Sequence, residues 1–138
     1  SFIPWSGAYV SGVSLDEYYE TVEKMGRNVT KIDKDAMLEY VRTSGGQVIA
    51  NKGATFYAVS VAVCKLVATI LSSSDSVATV SSMMHGEYGI EDVCLSTLTL
   101  VGPKGVQGKI PMRMTKEEVE KLKASADALK AVIAQIEH

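Results

Sequence analysis

Apolar residues recur with two different periods along the chain, and the period changes after Leu71. Before that point they return every three to four positions, which is typical of amphipathic helices. From Val77 to Met83 they alternate with polar residues, and Asp92 to Val101 is rich in strand-forming residues, so this region predicts a sheet. After position 115 the helical period returns. The pattern therefore predicts helices, then a sheet, then a final helix.

A short extended segment and a short helix are expected at the start of the chain. Residues 8–13 mix aromatic, β-branched and glycine residues, which predicts a strand-like stretch. Ser14 stands just before a helical pattern, and Glu17 follows it by three positions, which is the spacing of a capping box. This first helix is expected to end near Gly26.

Two longer helices follow, separated by the segment Lys52-Gly-Ala-Thr55. Asp33 is the predicted N-cap of the second helix. The pair Gly45-Gly46 lies inside that helix and predicts either a bend or a place of unusually close packing, because glycine weakens a helix interior. The third helix has apolar residues on most of its sides, which predicts a central, buried position. Its apolar residues include Phe56, Val59, Val63, Leu66, Val67 and Ile70.

The alternating region predicts three antiparallel strands, the third being Ile110 to Met114. Glycine-containing turns at residues 86–89 and 102–105 separate the strands. Thr115 and Glu118 form a second capping box, which opens the final helix with one apolar stripe to the end of the chain. The predicted fold class is α+β, with helices packed on an antiparallel sheet.

Composition limits the classes of function. The chain has 138 residues, of which 46% are hydrophobic and 22% charged, as expected for one globular domain. The net charge is -2 and the basic residues are scattered, so a nucleic-acid partner is not expected. The longest apolar stretch, residues 54–71, is interrupted by polar residues and is shorter than the ~20 residues that a bilayer requires. No membrane partner is expected, and a cytoplasmic location is the expectation.

Several residues have side chains that could take part in catalysis or bind a metal ion. Cys64 and Cys94 lie in apolar runs and are expected to be reduced, buried core cysteines. His85 lies beside a turn and His138 is the last residue; neither is expected to be catalytic, and no cluster has the spacing of metal ligands. The acidic residues 87, 91 and 92 could imitate an acid/base pair, but a solvated turn is the favoured interpretation.

Thr55 is the remaining candidate, because its hydroxyl lies between two apolar helices. From the residues alone, capping of the third helix is favoured over a position facing a cavity.

Four segments, taken in order, resemble segments of the bacterial L-lactate dehydrogenases. They are Phe2-Ile-Pro-Trp5-Ser6 with Val10 to Ser14, Ile49-Ala-Asn-Lys-Gly-Ala-Thr-Phe-Tyr-Ala58, Val77 to Val80 with His85 to Val93, and Gly105-Val-Gln107 with Ser125 to Lys130. The resemblance covers essentially all of residues 1–138. It implies the C-terminal, substrate-binding and oligomerisation domain of that family, with its α+β fold.

The resemblance also implies a function. It implies NAD as cofactor, pyruvate and L-lactate as the 2-oxo and 2-hydroxy acid pair, and a homo-oligomer, either a dimer or a tetramer. Thr55 matches a threonine of the substrate pocket, and Val59 matches an apolar residue packed against the nicotinamide ring. The catalytic histidine and the N-terminal Rossmann NAD-binding domain are expected upstream of Ser1. No catalytic residue and no metal ligand are therefore expected in this chain, and alone it should be inactive.

Other functions stay open at this stage. A malate or a branched-chain L-2-hydroxyacid dehydrogenase would share the fold, although the threonine at position 55 favours lactate over malate. An NAD- and metal-dependent glycosidase of the same superfamily fits less well, because its metal-ligating histidine is not evident. A non-enzymatic α+β binding or oligomerisation module would also lack catalytic residues.

Overall fold

A computed structural model of the chain describes residues 2–136, so the expectation for His138 lies outside the described part. A two-stranded hairpin opens the chain, three helices follow, and a three-stranded sheet and a last helix complete it. The strands are β1 (Tyr9–Val10), β2 (Val13–Ser14), β3 (Ser76–His85), β4 (Glu91–Gly102) and β5 (Gly105–Lys109). The helices are α1 (Leu15–Lys24), α2 (Lys34–Lys52), α3 (Tyr57–Leu71) and α4 (Lys116–Ile133).

The larger sheet has the strand order β3-β4-β5, and every neighbouring pair is antiparallel. Val80 is opposite Thr97 in the β3–β4 pair, and the register shifts between Met83 and His85. That irregularity lies beside Met84, which is fully buried. The predicted α+β class, with helices and an antiparallel sheet, is confirmed.

The hydrophobic core lies between α4 and the sheet. Ala126 of α4 is packed with four apolar residues from the sheet region, and Leu122 covers the edge of this cluster. The four residues are Met84, Ile90, Val93 and Leu95. The core is therefore at the C-terminal half of the chain, and α2 contributes nothing to it.

The helix starts agree with the sequence. Both predicted capping boxes are present: Ser14 with Glu17 opens α1, and Thr115 with Glu118 opens α4. The Asp33 side chain caps α2 by accepting hydrogen bonds from two backbone N–H groups. These predictions are confirmed. The caps could be predicted because their signals are local and do not depend on the rest of the fold.

The prediction that the third helix is central and buried is wrong for this chain. No residue of α3 is buried, and the side chain of Val59 is 55% exposed. α2 and α3 meet at a bend of 117°, and α3 contacts the sheet at β4. A helix that is apolar on most of its sides needs cover on those sides, and this chain does not supply it.

Two boundaries differ from the sequence predictions. The residues 8–13 form a tight hairpin rather than one strand, with Ser11 and Gly12 at positive φ in the turn. The third strand of the sheet is β5, and residues 110–115 follow it without strand structure, although the Ile110 N–H still donates to the Leu98 carbonyl of β4 at 2.8 Å. The Met112 N–H donates a hydrogen bond to the Tyr88 hydroxyl at 2.7 Å instead of to a strand partner. The prediction of a strand from Ile110 to Met114 is therefore wrong.

The cysteines and the paired glycines also differ from expectation. Cys64 and Cys94 are free, as predicted, but both are exposed rather than buried. Cys64 shares the exposure of α3, and Cys94 is opposite Met83, which is itself exposed. At Gly45 and Gly46 an added Cβ would meet no atom within 4 Å, so no close packing explains them within residues 2–136.

We predict that Met84→Ala destabilises the domain much more than Met83→Ala. Met84 is fully buried in the core, whereas its neighbour is exposed. Truncating a buried methionine leaves a cavity and typically costs about 2–5 kcal/mol. Urea unfolding of the two variants measures the difference, and equal losses would show that the core is not where the structure has it.

Candidate functional site

The predicted site residues lie at the bend between α2 and α3, which we call the α2–α3 elbow (residues 53–56). α2 ends in Gly53, whose φ of 78° is in the left-handed region, and its N–H donates to the Ile49 carbonyl at 2.7 Å. This is a common glycine-based end of a helix. The chain then turns into α3 within the four residues of the elbow, so Thr55 is held between two helix ends.

The hydroxyl of Thr55 does not cap α3. The N-cap position belongs to Phe56, and no side-chain capping hydrogen bond is present there. The capping role that the residues alone favoured is therefore not found. Thr55 is exposed at the elbow, where its hydroxyl is available to a group from outside this chain.

Aromatic and basic side chains surround the elbow. The rings of Phe56 and Tyr57 are tilted against each other with centroids 4.8 Å apart. The ammonium group of Lys52 lies 5.8 Å from the Tyr57 ring centroid, within the range of a cation–π contact. Both aromatic residues remain exposed. The elbow and the residues on either side of it therefore present one hydroxyl, two rings and one positive charge at the surface.

The acidic residues 87, 91 and 92 do not form an acid/base pair of the kind considered above. Glu87 accepts a hydrogen bond from the His85 backbone N–H at 2.6 Å. Backbone hydrogen bonds from His85 and from its own residue lower the pKa of Glu87. A carboxyl that acts as a general acid near neutral pH needs a raised pKa instead. The group stabilises a turn, in agreement with the favoured interpretation.

The described residues contain neither a cluster of metal ligands nor a single membrane-spanning helix. Among residues 2–136, no group of three or more His, Cys, Asp or Glu side chains is arranged to hold a metal ion. In the same part of the chain, no single helix is both long and apolar enough to cross a membrane. Only α2 and α3 taken together, across their 117° bend, reach that length and composition.

A second polar cluster connects the start of the chain to the start of α4. The Ser6 N–H donates to Oε1 of Glu118 at 3.0 Å, and the Ser6 hydroxyl is in contact with Oε2 of the same carboxylate. The Thr115 N–H donates to Oε2 at 2.8 Å. Only 8% of Glu118 is exposed. Its negative charge is therefore stabilised mainly by these hydrogen-bond donors and not by water. The sequence indicated the capping box but gave no signal for the contact with Ser6, which is 112 positions away.

With this geometry established, the comparison with known families is decisive. Residues 1–138 match the family described as lactate/malate dehydrogenase, alpha/beta C-terminal domain. The chain belongs to this family. The predicted resemblance is confirmed, and the helices on an antiparallel sheet are the fold of that domain.

Individual relatives agree. The chain is 38% identical over 136 residues to an L-lactate dehydrogenase of Thermoanaerobacterium saccharolyticum, covering 99% of this chain and 43% of that protein. It superimposes with a TM-score of 0.86 and 27% identity on the ligand-bound minor L-lactate dehydrogenase of Enterococcus mundtii, covering 98% of this chain and 42% of the other. A malate dehydrogenase of Archaeoglobus fulgidus, in complex with NADH, gives a TM-score of 0.72 and 28% identity, covering 80% and 37%.

The chain of this dehydrogenase domain spans about two fifths of the length of the curated relatives that it matches, 41% of one and 43% of another. The relatives therefore establish the domain and its family. The roles of Thr55 and Val59 stay predictions, because no comparison tests them residue by residue.

We predict that the stabilising effect of Glu118 depends on pH. Burial raises the pKa of this carboxyl, but the hydrogen bonds from Ser6 and Thr115 outweigh it and hold the pKa below 4.5. A carboxyl whose pKa is lower in the folded state stabilises the fold above its unfolded pKa, and the effect is lost as the pH falls through the folded value.

The measurement is urea unfolding of the wild type and of Glu118→Gln across the acidic range. The difference in free energy of unfolding should be full near neutral pH and should decline at pH values below 4.5. Glu117→Gln is the control, since Glu117 is exposed in the same turn of α4. A Glu118 difference that stays constant down to about pH 3 would contradict the prediction.

Proposed function

We propose that this chain is the substrate-binding part of an NAD-dependent L-lactate dehydrogenase that interconverts pyruvate and L-lactate. The observation that carries the proposal is the exposed Thr55 hydroxyl at the α2–α3 elbow, in a domain whose relatives are named L-lactate dehydrogenases. A cytoplasmic location is part of the same proposal.

Thr55 is proposed to form one wall of the substrate pocket. A small side chain leaves room for the methyl group of pyruvate, and its hydroxyl orients the polar end of the substrate. The hydroxyl is not used to cap α3, so it is available for this purpose. A histidine upstream of Ser1 is proposed to donate the proton to the substrate oxygen and to accept it in the reverse reaction, as the resemblance implies.

Val59 is proposed to contact the nicotinamide ring. It is apolar, exposed and not committed to the core, which fits a contact with the face of a ring. The chain has no Gly-x-Gly-x-x-Gly phosphate loop, so the rest of the cofactor would be held elsewhere. When bound, NAD supplies hydride transfer to and from the substrate carbon. Val59 would exclude water from that side of the ring.

The large exposed area of the chain supports the proposal that a partner covers α2 and α3. The chain exposes 10107 Å². A compact protein of 14.8 kDa exposes about 7,000 Å². We propose that an upstream Rossmann domain of the same polypeptide and further copies of the enzyme, as a dimer or tetramer, cover this excess. The chain alone would then be inactive, and a non-enzymatic module is disfavoured because the elbow would have no use for Thr55.

The proposed substrate is tested with the full-length protein. NADH-dependent reduction of pyruvate, oxaloacetate and 2-oxoisocaproate separates lactate, malate and branched-chain dehydrogenases by their kcat/KM values. Pyruvate should rank first. Preference for oxaloacetate would favour the malate alternative, for which the likeness to the Archaeoglobus fulgidus malate dehydrogenase is the supporting observation.

In the full-length protein, Thr55→Ala should lower kcat/KM for pyruvate more than for 2-oxoisocaproate. Loss of one hydrogen-bonding hydroxyl costs on the order of 1 kcal/mol or more, which is at least several-fold in rate. For 2-oxoisocaproate, the larger space left by alanine partly offsets this loss of kcat/KM, because that substrate is bulkier than pyruvate. Thr69→Ala, in the last turn of α3, is the control. An unchanged ratio between the two substrates would remove Thr55 from the pocket.

Val59→Ser should raise the dissociation constant of NADH, measured by quenching of protein fluorescence or by calorimetry. The reason is the loss of apolar contact area with the ring. Val61→Ser is the matched control, because Val61 is 56% exposed on α3 but points about 200° away around the helix. If both variants bind NADH as the wild type does, Val59 has no part in the cofactor site.

A further inference from the structure

The starting observation is the buried carboxylate of Glu118 and its contact with Ser6. A buried charge is expensive unless donors surround it. Here both oxygens are engaged: Oε1 by the Ser6 N–H, and Oε2 by the Ser6 hydroxyl and the Thr115 N–H. Charge-assisted hydrogen bonds of this kind are stronger than neutral ones and depend more on geometry.

Ser6 lies in a short turn, Trp5–Gly7, which we call the N-terminal turn. The other two residues of this turn are confined as well. The ammonium group of Lys34, at the start of α2, lies 5.6 Å from the Trp5 ring centroid. A Cβ added at Gly7 would lie 2.6 Å from the terminal methyl of Met112, so the backbone approaches that side chain closely.

The N-terminal turn is therefore held against the first turns of two helices and the segment before α4. Within residues 2–136, Glu118 is the only charged hydrogen-bond acceptor of this turn, and it contacts the backbone of the turn directly. A backbone contact fixes the position of the chain itself and not just one side chain. Consecutive Cα atoms are about 3.8 Å apart, so fixing Ser6 restricts the few residues on either side of it.

We propose that Glu118 is a positioning residue for catalysis: its carboxylate holds the N-terminal turn, and the turn sets the position of the polypeptide leading into Ser1. This inference rests on the proposed function, in which that polypeptide carries the proton-donating histidine. Glu118 touches neither substrate nor cofactor in this account. It acts on the reaction only through the backbone of Ser6.

A purely stabilising role is the competing explanation, because any buried and hydrogen-bonded carboxylate contributes to stability. The two roles differ in what changes in the folded enzyme. If the role is purely stabilising, Glu118→Gln lowers the free energy of unfolding and leaves the kinetics of the folded molecules unchanged. If the role is positioning, the same change lowers kcat in molecules that are fully folded, with little change in KM.

The experiment uses the full-length enzyme with Glu118→Gln, Ser6→Ala and the double variant. Glu117→Gln is the control, because it removes one charge from an exposed residue in the same helix turn without breaking a contact to Ser6. Steady-state kinetics with pyruvate and NADH gives kcat, KM and the pH profile of kcat/KM. Hydrogen exchange of the peptide that contains residues 2–10 reports the order of the N-terminal turn.

Glu118→Gln should lower kcat about tenfold or more, since small displacements of a catalytic group are costly, while KM for pyruvate changes less than about twofold. The apparent pKa in the kcat/KM profile should shift, because the proton donor has moved relative to its surroundings. Exchange in residues 2–10 should become faster. The double variant should lose less than the product of the two single losses, since both changes affect the contact between the Ser6 hydroxyl and the carboxylate.

Unchanged kcat in Glu118→Gln, with a normal exchange rate in residues 2–10, would overturn the inference. Faster exchange with unchanged kcat would also overturn it, leaving Glu118 a stabilising residue only. If Glu118→Gln fails to fold, Glu118→Asp decides by the same criteria, because it keeps the charge but shortens the reach of the carboxylate to the Ser6 N–H. A wild type without activity on any 2-oxo acid would instead refute the proposed function, and the catalytic role of Glu118 with it.

Discussion

The apolar surface of α2 and α3 is the feature on which the account depends. Apolar area in water costs roughly 25 cal/mol per Å², so a stable protein does not leave a helix like α3 uncovered. Yet no residue of α2 or α3 is buried in this chain, whereas the main buried cluster lies between α4 and the sheet, and Leu15 and Tyr19 of α1 are buried as well. One part of the chain thus has a core of its own, and α2 and α3 expose apolar side chains. The candidate site lies on the exposed part.

On the proposed function, this division separates a scaffold from a surface that another domain covers. The sheet, α4 and the buried cluster around Met84 form the scaffold. The α2–α3 elbow carries Thr55, and α3 carries Val59, on the surface that another polypeptide would close. On the proposed function, the pocket is assembled only when the two parts meet. Glu118 then connects the scaffold to the chain that enters from the other part.

The sequence predicted local features well and long-range ones poorly. The caps at Ser14, Asp33 and Thr115 were recognisable because each uses residues within three positions of one another. The prediction that α3 is buried is wrong for this chain, because an apolar pattern alone does not say which polypeptide covers the helix. The contact of Ser6 with Glu118 could not be predicted, since nothing local relates residues 112 positions apart. Thr55 is a candidate through a resemblance, because from the residues alone a capping role was favoured.

The most direct test is covalent carbene footprinting of the full-length protein, with labelling at each residue compared with that of the urea-unfolded protein. Met25, which is 68% exposed at the end of α1, serves as the internal reference for a solvated side chain. The account predicts that Val59 and Val63 of α3 are strongly protected from labelling, although both are exposed in this chain. Labelling of these two residues as extensive as that of Met25 would contradict the claim that another polypeptide completes the site.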